Sequence, residues 1–306
     1  MSNTKQIIRL FLLVFIILVV SIHASHQTGL AEENDVIMER DIIYGKGGDV
    51  DLMLDLARPK KAKGRLPTLI YIHGGGWGYM LGFSKNSYTS SIREAAKKDY
   101  IAVTIEHRLI SVKENGKVKY PFPAQVHDIK CAVRWLRANA RKYKIDPNRI
   151  GVVGWDSGGH LALMLGLTDP SHMLEGECGN MEYSSRVQAV VSLAGITDLK
   201  SQYDIYYFRQ SVMDFLGGTP EEVPERYTAS SPLTYVSEDD PPVLLIHSDK
   251  DFFVPLSQVE LLSKRMNEVG AFHTLIIMKD AKHDALGYFF KDSPVGDFFD
   301  EHLKGN

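Results

Sequence analysis

Cysteine is scarce in this chain of 306 residues: only Cys131 and Cys178 occur, too few for a disulfide-built scaffold or a thiolate metal centre. Metal-ligand spacing is missing too, since His127 and Asp128 merely adjoin on an expected helix and His283 and Asp284 on an expected loop. No metal and no other cofactor is therefore expected. Basic excess is lacking: 35 Lys plus Arg against 38 Asp plus Glu leave a net charge of −3, which argues against a nucleic-acid partner. There is no internal repeat and no low-complexity tract, so repeat architectures such as solenoids are not expected. The glycine run at 74–76 lacks the lysine and Ser/Thr that would follow it in a phosphate-binding loop.

One apolar run stands out, from Leu10 to Ile22, and it is short for a membrane span. Lys5 and Arg9 precede it and a polar stretch ending Gly29-Leu30-Ala31 follows, the anatomy of a secretory signal peptide cleaved after Ala31. An uncleaved anchor is the alternative, and no cysteine at the end of the run supports a lipid anchor. The expected mature protein, residues 32–306, is secreted or periplasmic, more acidic after losing two cations, and without a stable hold on a membrane. Export permits a disulfide, whereas Cys131 beside Ile129 and Val133 reads equally as a buried free thiol. Oligomeric state leaves no mark in the sequence.

What is present is an alternation of strands and helices. With 44% hydrophobic and 24% charged residues, the chain can bury one large core, and a single domain of this length is common in α/β folds. Strands are expected at Leu66–Ile72, Ile101–Glu106, Ile150–Gly154, Val187–Leu193, Val243–His247 and Thr274–Met278, with helices at Ala124–Tyr143 and Leu256–Val269. That order implies a mostly parallel sheet flanked by helices. Val36–Tyr44 and Val50–Ala57 flank a glycine-rich turn and read as an antiparallel hairpin at one edge. Between Thr197 and Leu233 the pattern breaks into an aromatic-rich helical insertion, a cap over the site in which Tyr206 and Tyr207, with Trp77 from the glycine loop, are the candidate substrate contacts. Ser171–Ser185 reads as a surface loop.

Chemistry concentrates at strand ends. Gly154-Trp155-Asp156-Ser157-Gly158 has the form of a nucleophile elbow, a sharp strand-to-helix turn that leaves room only for small residues two positions either side of its apex. Gly154 and Gly158 place Asp156 at that apex; Ser157 as apex would put Trp155 in a position with no space. Three glycines after strand Leu66–Ile72 turn amides outward, so Gly75 and Gly76, with the amide of Ser157, are the candidate oxyanion donors. Asp251, after strand Val243–His247, is the candidate acid, with Asp249 assigned to bonding loop amides. His283 is the candidate base, because it alone among the histidines follows that acid at the carboxyl end of a strand. His73, His127 and His160 read as structural.

The order nucleophile, acid, histidine, each after a successive strand, is that of α/β-hydrolases. From about residue 40 onward the chain resembles the bacterial hormone-sensitive-lipase-like esterases, and especially the feruloyl and acetylxylan esterase subgroup. The resemblance is carried by His73-Gly-Gly-Gly-Trp77, the segment 120–139, Lys144-Ile-Asp-Pro-Asn-Arg-Ile-Gly151 and Gly158-Gly-His-Leu-Ala162. It implies an α/β-hydrolase fold and a carboxylic ester hydrolase with a Ser-His-Asp triad, acting on small acyl or aryl esters. At residue 156 the chain departs from that pattern, carrying aspartate where serine is expected. A carboxylate is a poor acyl nucleophile, and its own oxygen can occupy the oxyanion donors. Three readings follow: an esterase-family hydrolase whose Asp156 alters or suppresses the ordinary chemistry; an aspartate-nucleophile hydrolase that resembles haloalkane dehalogenases and epoxide hydrolases at this residue; or a non-catalytic ligand-binding member of the family.

Overall fold

The computed structural model describes residues 35–78, 83–112, 117–283 and 293–305; the apolar N-terminal segment lies outside them. Leu66–Ile72 is buried at every residue, as a strand covered on both faces must be, and strands of this kind set the architecture. In chain order they are β1 (Val36–Gly47), β2 (Val50–Pro59), β3 (Leu66–Ile72), β4 (Ile101–Ile105), a short ribbon of β5 (Ser111–Val112) and β6 (Val118–Lys119), β7 (Ile145–Trp155), β8 (Ala189–Leu193), β9 (Val243–Ser248) and β10 (His273–Met278). All but the ribbon form one eight-stranded sheet in the order β1-β2-β4-β3-β7-β8-β9-β10. β1 pairs antiparallel with β2 and β2 with β4, while β4, β3, β7, β8, β9 and β10 run parallel. The expected edge hairpin and mostly parallel sheet are both present.

Each face of the sheet has its own core. Helices Ala124–Ala138, Ser157–Leu167 and Leu256–Val269 cover one face, contributing Val126, Ile129, Leu161, Val259 and Leu262. Thr89–Lys97 and the C-terminal Pro294–Phe299 cover the other through Ile92, Ala95, Phe298 and Phe299. The helix expected over Ala124–Tyr143 is interrupted at Asn139, whose side chain donates to the Trp135 carbonyl at 2.9 Å. An amide side chain that satisfies a backbone carbonyl competes with continuation of the helix. Between β8 and β9 the insertion folds into helices Leu199–Asp204, Arg209–Leu216 and Pro224–Ala229. Among the described residues no helix is long and apolar enough to cross a membrane.

Of the two readings left open for the cysteines, the structure shows the disulfide. Cys131 and Cys178 form a disulfide with a Cα separation of 5.9 Å. The helix surface that carries Cys131 also carries Lys130 and Arg134, and both hold Glu175 of the 171–185 loop at 2.7 Å. Those charge pairs draw the loop onto the helix, so the second thiol meets the first. Closing a loop across 47 residues of sequence restricts the unfolded chain by about 4 kcal/mol in the loop-entropy account. The double variant Cys131→Ser/Cys178→Ser should lose stability of that order in urea unfolding. A loss below about 1 kcal/mol would show that Glu175 alone fastens the loop.

Candidate active site

The elbow begins with a backbone constraint. Asp156 has φ 55° and ψ −124°, a sparsely populated conformation for a residue with a Cβ, which the surroundings must over-determine. Its N–H donates to Leu193 O at 2.9 Å, and its carbonyl accepts the first bond of helix Ser157–Leu167 from His160 N at 3.0 Å. A Cβ on Gly154 would lie 2.1 Å from Gly158 O, and one on Gly158 would lie 2.3 Å from Ile72 O. Strand, turn and helix therefore come this close only with glycine at both positions, and Asp156 is the apex. Ser157 turns the other way: its Oγ is buried without a hydrogen-bond partner.

The β3 loop reaches the apex from the next strand. Gly75 N donates to Asp156 Oδ2 at 3.0 Å and Gly76 N to the same oxygen at 3.3 Å. From the opposite side, His283 Nε2 lies 3.7 Å from Asp156 Oδ1. His283 Nδ1 donates to Asp251 Oδ2 at 2.6 Å, and Asp251 Oδ1 accepts from Phe253 N at 2.8 Å and Val254 N at 2.9 Å. Amide bonding thus belongs to Asp251 itself and not, as expected, to Asp249, whose Oδ1 is buried with no partner. The cause is the turn: a carboxylate accepts readily from amides two and three residues ahead, and those are the amides that the turn before helix Leu256–Val269 offers to Asp251.

Sequence order did not reveal what steadies the histidine. Trp155 Nε1 donates to the His283 carbonyl at 3.2 Å, and the indole packs on the imidazole at 5.0 Å between centroids. Phe253 packs on the same ring at 5.0 Å. The only hint in the chain is position: Trp155 adjoins the apex and Phe253 follows the acid by two.

A cavity of about 110 Å³ opens over the apex, walled by Trp77, Trp155, Ile196, Phe208, Val212, Phe253 and Val254, with Asp156, His283, Gln202, Ser211 and the loop glycines supplying its polar groups. Trp77 does line it, but the indole is braced from behind by stacking on Phe215 at 4.2 Å and by donating Nε1 to His160 Nδ1 at 3.0 Å. Tyr206 and Tyr207 are placed elsewhere: they are 77% and 71% exposed and absent from the cavity wall. They share one short turn with Phe208, and that turn directs only Phe208 inward. A roomier cleft of about 670 Å³ lies beside the disulfide, between Lys46, His127 and Glu177, and holds none of these groups.

His73 and His160 brace the scaffold. His73 bonds its neighbour's carbonyl at 2.9 Å and stacks on His107 at 4.6 Å. His160 is wholly buried; because its Nδ1 accepts from Trp77, its Nε2 carries the proton and donates to Ser230 O at 2.7 Å. Burial holds the His160 imidazole down to about 4, against the smaller upward pull of the Ser230 carbonyl. A histidine depressed in the fold and ordinary when unfolded, near 6.5, contributes stability that is fully present above about 6.5. That contribution is lost as pH falls through the window to about 4, amounting to about 3 kcal/mol. Urea midpoints measured at pH 7 and pH 4.5 should diverge more for the parent than for His160→Gln. Equal pH dependence in both would refute the assignment.

A doubly wound sheet with an elbow after β7, an imidazole and an acid after the last two strands, and loop amides facing the apex defines an α/β-hydrolase of the carboxylesterase-like class. The chain belongs to the BD-FAE family, whose model matches residues 54–266. It is similar to the Mycobacterium tuberculosis esterases LipQ, at 29% identity over 76% of this chain and 53% of that protein, and LipC, at 28% over 79% and 58%. The chain thus spans little more than half the length of these curated relatives. Among solved structures it is similar to a truncated carbohydrate esterase from gut microbiota, with a TM-score of 0.72 and 28% identity over 88% of this chain and 94% of that one. Thermogutta terrifontis esterase 2 with bound propionate shares the fold, at a TM-score of 0.66 and 22% identity over 87% of this chain and 90% of that one.

Proposed function

We propose that this protein is an exported member of the carboxylic ester hydrolase class whose site is shaped for small acyl or aryl esters and whose ordinary ester turnover is suppressed by Asp156. The carrying observation is the pair of bonds from Gly75 and Gly76 to Asp156 Oδ2. In acyl transfer such amides stabilise the oxygen on which negative charge develops, and they act only if that position is open to the substrate. Here the nucleophile's own carboxylate fills it. Attack on an ester by that carboxylate would also yield a mixed anhydride rather than an ordinary acyl-enzyme ester, so the residue is ill suited to the step that serine performs.

The size of the cavity supports a small acyl group, and its apolar walls support an acyl or aryl one. Export is supported by the disulfide, a bond that persists in oxidising compartments, and by the charged and apolar pattern of residues 5–31. The test is hydrolysis of p-nitrophenyl acetate by the parent and by Asp156→Ser under identical conditions. A gain in the serine variant supports the reading. A fast parent that serine slows would overturn it and make Asp156 a working nucleophile.

A further inference from the structure

Replacing a neutral hydroxyl by a carboxylate changes what the cavity attracts as well as what it catalyses. Among the described residues, neither lysine nor arginine lines it. Asp156 places a carboxylate in the wall, Oδ2 fixed by two amides and Oδ1 3.7 Å from the nearest imidazole nitrogen, beyond ordinary hydrogen-bond length. Trp77, Trp155, Phe208 and Phe253 provide ring surface around it. Rings attract a cation through their quadrupoles, and more strongly when water is excluded.

A second acceptor comes from the insertion. Gln202 lines the same cavity and is 3% exposed. Its Nε2 donates to Phe253 O at 2.9 Å, which settles which end of the amide is which, and its Oε1 is buried without a hydrogen-bond partner. A buried acceptor left unsatisfied costs about 1–3 kcal/mol, and a ligand bearing N–H groups would relieve it. An ester or a carboxylate ligand would not, because it brings only further acceptors.

We propose that the cavity binds a small primary or secondary alkylammonium ion, its N–H groups shared between Asp156 and Gln202 and its alkyl part against the aromatic walls. The proposal rests on the reading of Asp156 as a resident carboxylate that withholds the loop amides from an ester. It adds a ligand of the opposite polarity to an ester's reacting carbonyl.

The test titrates the full mature chain with n-propylammonium, with 1-butanol as a neutral ligand of similar size, and with butyrate as the anion, following the indole N–H signals of Trp77 and Trp155 by NMR. Propylammonium should bind at least about tenfold more tightly than either of the others, a difference within reach of one desolvated cation–ring or charge contact. Asp156→Asn should lose that preference with its melting temperature retained, and Gln202→Met should weaken propylammonium without strengthening butyrate. Equal or tighter binding of 1-butanol or butyrate by the parent would overturn the proposal, as would an undiminished preference in Asp156→Asn. Its failure is separable from failure of the functional reading. A chain that ignores propylammonium yet gains ester hydrolysis as Asp156→Ser sinks only the ligand, whereas one that binds propylammonium yet gains nothing as serine sinks only the suppressed esterase.

Discussion

Asp156→Ser should raise the turnover of p-nitrophenyl acetate by at least about 10³-fold, with an upper bound near the roughly 10⁶ that a triad serine contributes in a serine hydrolase. The elements such a serine needs are already assembled: His283 is oriented through Nδ1 by Asp251 at 2.6 Å, and Gly75 and Gly76 point their amides at the apex. A serine Oγ is shorter than the aspartate side chain and leaves the position now filled by Oδ2, so both amides become available to the substrate carbonyl. Loop amides and binding alone sustain roughly 10³–10⁴ over water in the absence of a triad, but only if the substrate reaches them, and in the parent both amides already donate to Asp156 Oδ2. The expected gain therefore has two sources, nucleophile and amides. Asp156→Ala separates them, since it vacates the donors without supplying a nucleophile. It should recover a small part of the gain, and adding His283→Ala to Asp156→Ser should remove most of it. An Asp156→Ser protein that folds, keeps its melting temperature and stays as slow as the parent would remove the central claim.

How far the chain discloses this site depends on the range of the interactions involved. The apex register was legible because it rests on a local steric rule: with β7 turning directly into its helix, Gly154 and Gly158 are the residues that must lack a Cβ. The parallel sheet was legible because buried strands such as Leu66–Ile72 are apolar throughout, and their order brings Asp156, Asp251 and His283 to one sheet edge. Contacts fixed by packing between distant segments were not legible. Trp155 gave no sign that its indole would hold the His283 carbonyl across 128 positions. The aromatic cluster in the insertion points Tyr206 and Tyr207 at the cavity wall, but the short turn they share with Phe208 admits one inward side chain. Cys131 read equally as a free thiol because the pull of Lys130 and Arg134 on Glu175 lies in tertiary charge pairing. Asp249 and Asp251 have the same chemistry two residues apart, and only the path of the turn decides which meets the amides.

Gly158→Ala should be among the most damaging single methyl additions in the protein, destabilising it by more than about 4 kcal/mol or preventing folding. The added Cβ would sit 2.3 Å from Ile72 O and 2.6 Å from His73 O. Both are backbone atoms at the end of β3, so no side-chain rotation relieves the overlap. Relief requires the elbow helix to withdraw from β3 or the strand end to move, and either shift separates Gly75 and Gly76 from Asp156. The control is Gly296→Ala in the C-terminal helix, where an added Cβ meets nothing within 4 Å. It should change stability by less than about 1 kcal/mol, and in the stabilising direction that helix propensity favours. Urea unfolding of the two variants beside the parent distinguishes a sterically enforced elbow from an ordinary glycine-rich turn. In the ordinary turn the two substitutions would have comparable effects, and neither would disturb the loop amides. Combined with Asp156→Ser, Gly158→Ala should also erase the gained esterase activity at temperatures where any folded fraction remains, because the amides lose their place before the whole fold is lost. Retention of that activity at undiminished rate would show that the β3 loop and the elbow are positioned independently, contrary to the contact geometry.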